Sequence, residues 1–360
     1  MLYVERNLIA STKMPSDNYL IDAATRHQVF LQRYGNGRAK DAVKLLNRLR
    51  RRINARLSQE PEEFRAQRLQ DLLKDIDSLN KEEFQNVKTL IELESMKLIP
   101  SETSFNTVML NNVSSVDFIS PQETILIAAV MATPMSVKAG VGFTIADALS
   151  DFGVKKGSQI LQSIIDGVTS GSGTSFIAKQ VDGLIRNLMK RQVTSLISTI
   201  INHISSTTRS ELYKKNSRLV DRYEWVATLD GRTTFICMSR DGKYYQVGTG
   251  PMPPAHFGCR STTIPKIKKE FDLGLDVDSK RPAIGSDGVQ QVSSKVTYGG
   301  WLKRQNKEFV DEALGLERSR LFRSGKLSLD KFVDPTGRVY TLSQLESMNP
   351  IVFSDLIGGQ

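Results

Sequence analysis

Tyr223-Glu224-Trp225-Val226-Ala227-Thr228-Leu229-Asp230-Gly231-Arg232, then Cys237, Asp241-Gly242 and Pro253-Pro254-Ala255-His256-Phe257-Gly258-Cys259-Arg260-Ser261, form the stretch that decides the fold of this chain. Aromatic residues Trp225, Tyr244 and Tyr245 alternate here with the turn signals Leu229-Asp230-Gly231 and Arg240-Asp241-Gly242, and a Gly/Pro-rich run covers Gly248 to Pro254. That texture predicts a compact, turn-rich antiparallel β module over residues 223–265. Trp225 is expected to supply buried area, and Asp230 with Arg232 to close a turn by charge-assisted hydrogen bonds. Pro253 and Pro254 should stiffen the approach to His256 and lower the entropy lost on folding.

Upstream the pattern is helical. Ala42, Leu46, Leu49, Ile53 and Leu57 recur every three or four positions, while Lys40, Lys44, Arg48, Arg51, Arg52 and Arg56 fill the other faces. Leu69, Leu72, Leu73, Ile76 and Leu79 make a second stripe, and Phe84, Val87, Leu90, Ile91 and Leu93 a third, with breaks expected at Pro61 and at Asn80-Lys81. These stripes define a basic helical region, 1–98. In 99–222, the β-forming residues Thr103, Phe105, Thr107, Val108 and Met109 predict one or two strands. Helices are then expected over Ile145 to Phe152, Ser158 to Val168, Thr174 to Ile204 and Ser205 to Arg222, the last with Arg209, Lys214, Lys215 and Arg218 outside. The Ser/Gly run Thr169 to Gly173 lacks the Gly-Lys-Ser/Thr ending of a phosphate-binding loop and reads as a hinge.

Downstream, 266–297 reads as a polar surface linker and 298–360 as a helical segment carrying Trp301, Leu302, Phe309, Leu314 and Leu321, with a last short helix at Leu342 to Met348. The fold class is therefore α+β: a helical N-terminal region, a helical middle, the small β module and a short helical C-terminal segment.

Bulk properties narrow the function classes. The 360 residues hold 49 Lys and Arg against 39 Asp and Glu, a net charge of +10 that favours an anionic partner or an acidic protein face. Two cysteines are too few for a secreted disulfide scaffold, and Met1 to Ser11 lacks a signal-peptide pattern, so the cytoplasm is the expected compartment. The most apolar run, Thr124 to Met131, is much shorter than the roughly 20 residues of a membrane span.

The order Trp225, Asp230-x-Arg232, Cys237, Asp241-Gly242 and Pro253-Pro254-x-His256-x-x-Cys259-Arg260 resembles the signature of the phage Mu F-like head-morphogenesis family. The block Gly140 to Leu219 looks like that family's helical lead-in, and the run from Trp301 to Asp334 looks like the tail segment of its podovirus-type members. The resemblance implies a minor head protein of a tailed bacteriophage, made in the host cytoplasm and carried at the head interior or portal vertex. Its implied partners are the portal protein or the major capsid protein, with phage DNA a further candidate and no small-molecule substrate. Relatives often carry cysteines where this chain has Thr234 and Ser261; the paired loss implies that Cys237 and Cys259 remain as a pair with their sulfurs close together.

Three chemistries compete with that structural role. Cys237, His256 and Cys259 offer soft zinc ligands, yet only His256-x-x-Cys259 has the close spacing typical of a structural site, so the residues favour a module with no metal or cofactor. A Cys-His nucleophile would need an oxyanion loop and an orienting third residue, which the sequence does not reveal. Nuclease chemistry would need clustered acids, whereas Asp and Glu are scattered among lysines. The expectation is a non-enzymatic assembly protein; the alternatives are a phage-delivered nuclease, protease or toxin, or a DNA-binding internal virion protein using the basic face from Lys40 to Arg56.

Overall fold

The computed structural model describes residues 16–61, 66–138, 141–275 and 277–356; expectations for the first fifteen residues lie outside the described residues. Two long helices, α1 (Asp17–Leu57) and α2 (Ala66–Asn111), pack as an antiparallel hairpin. Their ion pairs and hydrogen bonds run in opposite directions along the two helices: His27 with Glu102, Tyr34 with Glu94, Arg48 with Glu83 and Arg56 with Asp75. The predicted stripe Ala42, Leu46, Leu49, Ile53 and Leu57 is completely buried, because its spacing keeps it on one side of α1.

After α3 (Glu123–Ala132) and the hairpin β1 (Met135–Lys138) and β2 (Val141–Phe143), three more helices complete the helical body: α4 (Ile145–Thr169), α5 (Thr174–Asn187) and α6 (Thr194–Lys215). Thr144 caps α4 in a reciprocal box with Asp147, satisfying first-turn amides. A π-helical turn, Leu188–Val193, joins α5 to α6. One hydrophobic core links α1, α2, α4, α5 and α6. No helix among the described residues is long and apolar enough to cross a membrane.

The rest is built from two small sheets and short helices. Strand β3 (Val220–Val226) lies between β5 (Tyr244–Gln246) and β6 (Thr262–Ile267), both antiparallel to it, with Trp225 opposite Thr263. The short β4 (Leu229–Asp230) pairs in parallel with β7 (Lys280–Gly285), which forms an antiparallel hairpin with β8 (Gly288–Ser293). A short helix, α7 (Phe235–Arg240), carries Cys237. The C-terminal segment adds α8 (Tyr298–Leu302), α9 (Lys307–Leu314), α10 (Leu316–Arg323), a 3-10 turn at Leu329–Phe332, α11 (Leu342–Met348) and α12 (Pro350–Leu356). The α+β class and its helical ends are as expected.

Several local expectations change. The strands expected within 99–116 are instead the end of α2: Leu98, Ile99, Glu102, Asn106, Met109, Leu110 and Val113 are buried at helical spacing. Two polar members, Glu102 and Asn106, hid that stripe; His27 binds Glu102 at 2.6 Å and Asn106 donates to the Glu102 carbonyl at 2.7 Å. Pro100 is exposed, where water can satisfy the carbonyl it cannot bond. No break occurs at Asn80-Lys81 or between Ile204 and Ser205, and Ile145 to Thr169 is one helix rather than two. Val220 to Arg222 belong to a strand, not to the end of a helix.

The expected linker 266–297 holds the β7–β8 hairpin, whose two-residue Ser286-Asp287 loop is closed by Gly288 at φ +85. It also brings the C-terminal segment onto the module. Trp225, Cys237, Cys259, Trp301, Phe332, Leu345 and Phe353 share one core, so residues 223–265 and 298–360 do not pack as separate units. Arg209, expected outside, is buried at 1 % exposure. Its guanidinium donates to the Ser205 and Thr262 hydroxyls, because α6 runs through the middle of the molecule with nearly every face covered.

Candidate functional site

Helix α6 supplies the floor of the site. Asn202 Nδ2 donates to the Cys259 carbonyl at 2.8 Å and the Ser261 carbonyl at 3.2 Å, and the Gly258 amide donates to Thr199 Oγ1 at 2.7 Å. These bonds hold the segment from His256 to Ser261 on the helix. Gly258 sits at φ +72, a conformation that glycine adopts without the clash a Cβ would cause. The cis Pro253-Pro254 bond leads the chain into this segment.

The short α7 brings Cys237 against it. Cys237 Sγ lies 3.7 Å from Cys259 Sγ and 3.3 Å from His256 Nε2, so the expected closeness of the two sulfurs is met. Both thiols are 1 % exposed and free. His256 Nδ1 is 2.9 Å from the Phe257 carbonyl. Burial alone would raise the Cys259 thiol, but hydrogen bonds from Cys237 and His256 and the imidazole's charge hold it well below its ordinary value. Burial would lower His256; its contacts with Cys259 outweigh that and raise it. Burial and the Cys259 neighbour push Cys237 the other way, upward. Among the described residues, Cys237, His256 and Cys259 form the group that could hold a metal ion, their ligand atoms lying within 4.8 Å of one another.

Two carboxylates organise the surroundings. Asp230, 4 % exposed, is gripped by both terminal nitrogens of Arg260, one of them 2.9 Å from Oδ1. Arg232 is not the side-chain partner: it contributes only its backbone amide, 3.0 Å from Asp230 Oδ1, and its guanidinium is exposed. Turn closure in the Asp-x-Arg motif therefore uses the backbone, and the charge comes from Arg260 across the module. Burial would raise the Asp230 carboxyl, yet Arg260 and the Arg232 and Thr233 donors hold it below the usual range.

Asp241 accepts from the Ala227 amide at 2.6 Å and the Tyr298 amide at 2.5 Å, tying β3 to α8. Gly242, at φ +76, completes the turn by donating to the Trp225 carbonyl at 2.9 Å. Trp225 is fully buried with Arg240 stacked 5.0 Å above its ring.

Sequence reading missed three participants. Arg281, 3 % exposed, donates to the carbonyls of Ala227 and Val296 (3.1 Å for the latter) and touches Asp241 at 3.3 Å. The Tyr298 hydroxyl donates to the Asp230 carbonyl at 2.8 Å. Asn202 bridges α6 to the cysteine loop. None had a sequence signal: Arg281 sat in what read as a linker, and Asn202 and Tyr298 are single polar groups in helices.

A cleft of about 820 Å³ beside the site is lined by Arg232, Thr234, Arg240, His256 and Arg338 among others, with no carboxylate in its wall among the described residues. It offers positive charge and no acid–base pair of carboxylates. The other basic group of interest, on α1, is largely neutralised. Arg48 makes two bonds to Glu83 at 2.6 and 2.7 Å, Arg52 reaches Glu82 and Glu83 at 2.8 and 3.0 Å, Arg56 pairs with Asp75 at 2.8 Å, and Lys44 with Asp41 at 2.8 Å. Lys40 and Arg51 are exposed and make no ion pair among the described residues. Helix α2 thus uses much of the charge that the α1 sequence seemed to present to solvent.

No curated protein and no solved structure matches the chain. Residues 158–264 match the family described as Phage Mu protein F like protein, a stretch that runs from within α4 through α6 and the cysteine site into β6. It contains the floor helix, both cysteines, His256 and the Asp230–Arg260 pair, and over this stretch the chain is similar to the Mu F-like family.

Proposed function

We propose that this protein is a minor head component of a tailed bacteriophage that docks at the portal vertex or on the inner face of the capsid shell and assists head assembly, DNA packaging or ejection by binding rather than by catalysis. The observation that carries the reading is the match of residues 158–264 to a head-morphogenesis family, which spans the cysteine site and the helices beneath it. Two features support a binding role. Cys237 and Cys259 are buried to 1 % exposure, and the adjoining cleft wall carries arginines with no carboxylate partner for proton transfer among the described residues. The α1–α2 hairpin offers a long exposed face suited to an extended contact.

The test is co-expression of the full chain with the portal protein and, separately, with the major capsid protein of the same phage. Retention on at least one of them through a salt wash is expected. Release from both at low and at high salt would overturn the reading.

A further inference from the structure

We propose that Cys237, His256 and Cys259 form a zinc site, with solvent in the fourth position beside Thr234. The spacing along the chain argued against metal because only one close pair is visible in it. Spacing is the wrong measure here, since α7 delivers Cys237 from a separate element onto the His256–Cys259 segment.

The distances match a tetrahedral site. Thiolates bound to zinc at about 2.3 Å in a tetrahedron stand about 3.8 Å apart. The two sulfurs are 3.7 Å apart, and all three ligand atoms fall within 4.8 Å of one another. A disulfide would need the sulfurs at about 2.05 Å.

The histidine presents its bare nitrogen to the sulfurs. The Phe257 carbonyl can only accept, so at 2.9 Å His256 Nδ1 must carry the proton. In the neutral ring Nε2 then holds a bare lone pair, and it is this atom that faces Cys237 Sγ at 3.3 Å. A backbone carbonyl behind a ligating imidazole is the usual outer-shell arrangement in metal sites.

The sulfurs also have polar neighbours. Thr234 precedes Cys237 by one helical turn, and its buried hydroxyl and that of Ser261 both lie beside Cys237. Thr234 and His256 both line two open clefts, so a water can reach the fourth position. Two thiolates also balance the charge of a divalent cation, which makes a buried ion tolerable. The segment is already fixed on α6 by Asn202 and Thr199, so few degrees of freedom remain to be lost on binding. Such an ion would join α7 to the loop and favour the folded chain over the unfolded one.

The experiment uses the full chain, purified under reducing conditions without chelator. Elemental analysis should find one zinc per chain. Titration of the stripped protein with Co²⁺ should give a thiolate-to-cobalt charge-transfer band and strong tetrahedral visible absorption. Cys259→Ser should weaken Co²⁺ binding by about tenfold or more, and Thr234→Cys, which places a thiol in the fourth position, should strengthen it by a similar factor. The wild-type and Thr234→Cys titrations decide the matter even if Cys259→Ser does not fold. Absence of both zinc and the cobalt spectrum, a Cys237–Cys259 disulfide in the freshly purified chain, or a cobalt spectrum unchanged in folded Cys259→Ser would each overturn the proposal.

Discussion

Arg260 closes a two-pronged grip on Asp230 from the far side of the module, with one contact at 2.9 Å, while Arg232, two residues from Asp230, leaves its side chain in solvent. Removing one member of a buried, hydrogen-bonded ion pair leaves the other charge uncompensated. Arg260→Ala should therefore cost about 3–5 kcal/mol, whereas Arg232→Ala should stay within about 0.5 kcal/mol, as read by urea unfolding at neutral pH. Equal losses for the two would place the charge partner wrongly.

The same pair has a pH signature. The folded-state carboxyl of Asp230 is held below its unfolded value, so its stabilising contribution is complete above the unfolded pKa, near 3.9, and disappears as pH falls through the lower folded value. Asp230→Asn should reduce the loss of stability between about pH 4 and pH 2. A variant that keeps the wild-type acid slope would contradict this.

His203 and Glu224 should oppose each other at milder pH. Burial in the helical body lowers His203 to about 4, so the unfolded chain takes up the proton first and stability falls as pH drops from about 6.5 toward that value. Burial, then the charge of Asp241, raises Glu224 to about 7, so the folded chain takes up that proton first and its contribution is lost as pH rises toward 7. Glu224→Gln should leave a stability that declines from pH 7 to pH 5 by roughly 2 kcal/mol through His203, and His203→Asn should leave one that rises on acidification. Chemical denaturation across that range reads both; parallel profiles for the two variants would refute the assignment.

Tyr298 links the C-terminal segment to the module, its hydroxyl donating to the Asp230 carbonyl at 2.8 Å in a fully buried position. Tyr298→Phe should cost about 1–2 kcal/mol without altering the shape of the core. Because Trp225, Trp301, Phe332 and Leu345 lie in one core, the module and the C-terminal helices should lose protection from proteolysis together. Release of an intact, protected 223–265 fragment would show two separate units instead.

Glu83, with its side chain inaccessible to solvent, accepts from both Arg48 and Arg52. Glu83→Gln should destabilise the α1–α2 hairpin by about 1–2 kcal/mol, an effect limited by the partial exposure of both arginines. If thermal melting of this variant coincides with wild type, the interhelix pairs contribute nothing measurable.

The sequence by itself determined the α+β class, the apolar stripe of α1, the start of α4 at Ile145, the last short helix Leu342–Met348 and the family signature around Trp225 and Cys259. Each of these depends on spacing, capping or turn chemistry within a few residues, where neighbours along the chain are also neighbours in space. Tertiary structure alone decided that Glu102 and Asn106 continue a buried helical stripe, that Arg260 rather than Arg232 neutralises Asp230, that α2 takes up Arg48, Arg52 and Arg56 of α1, and that residues 280–293 are a hairpin rather than a linker. The physical reason is common to all four: a polar or charged residue can be buried, or a polar segment ordered, only when a partner distant in the chain satisfies it, and local pattern carries no record of that partner.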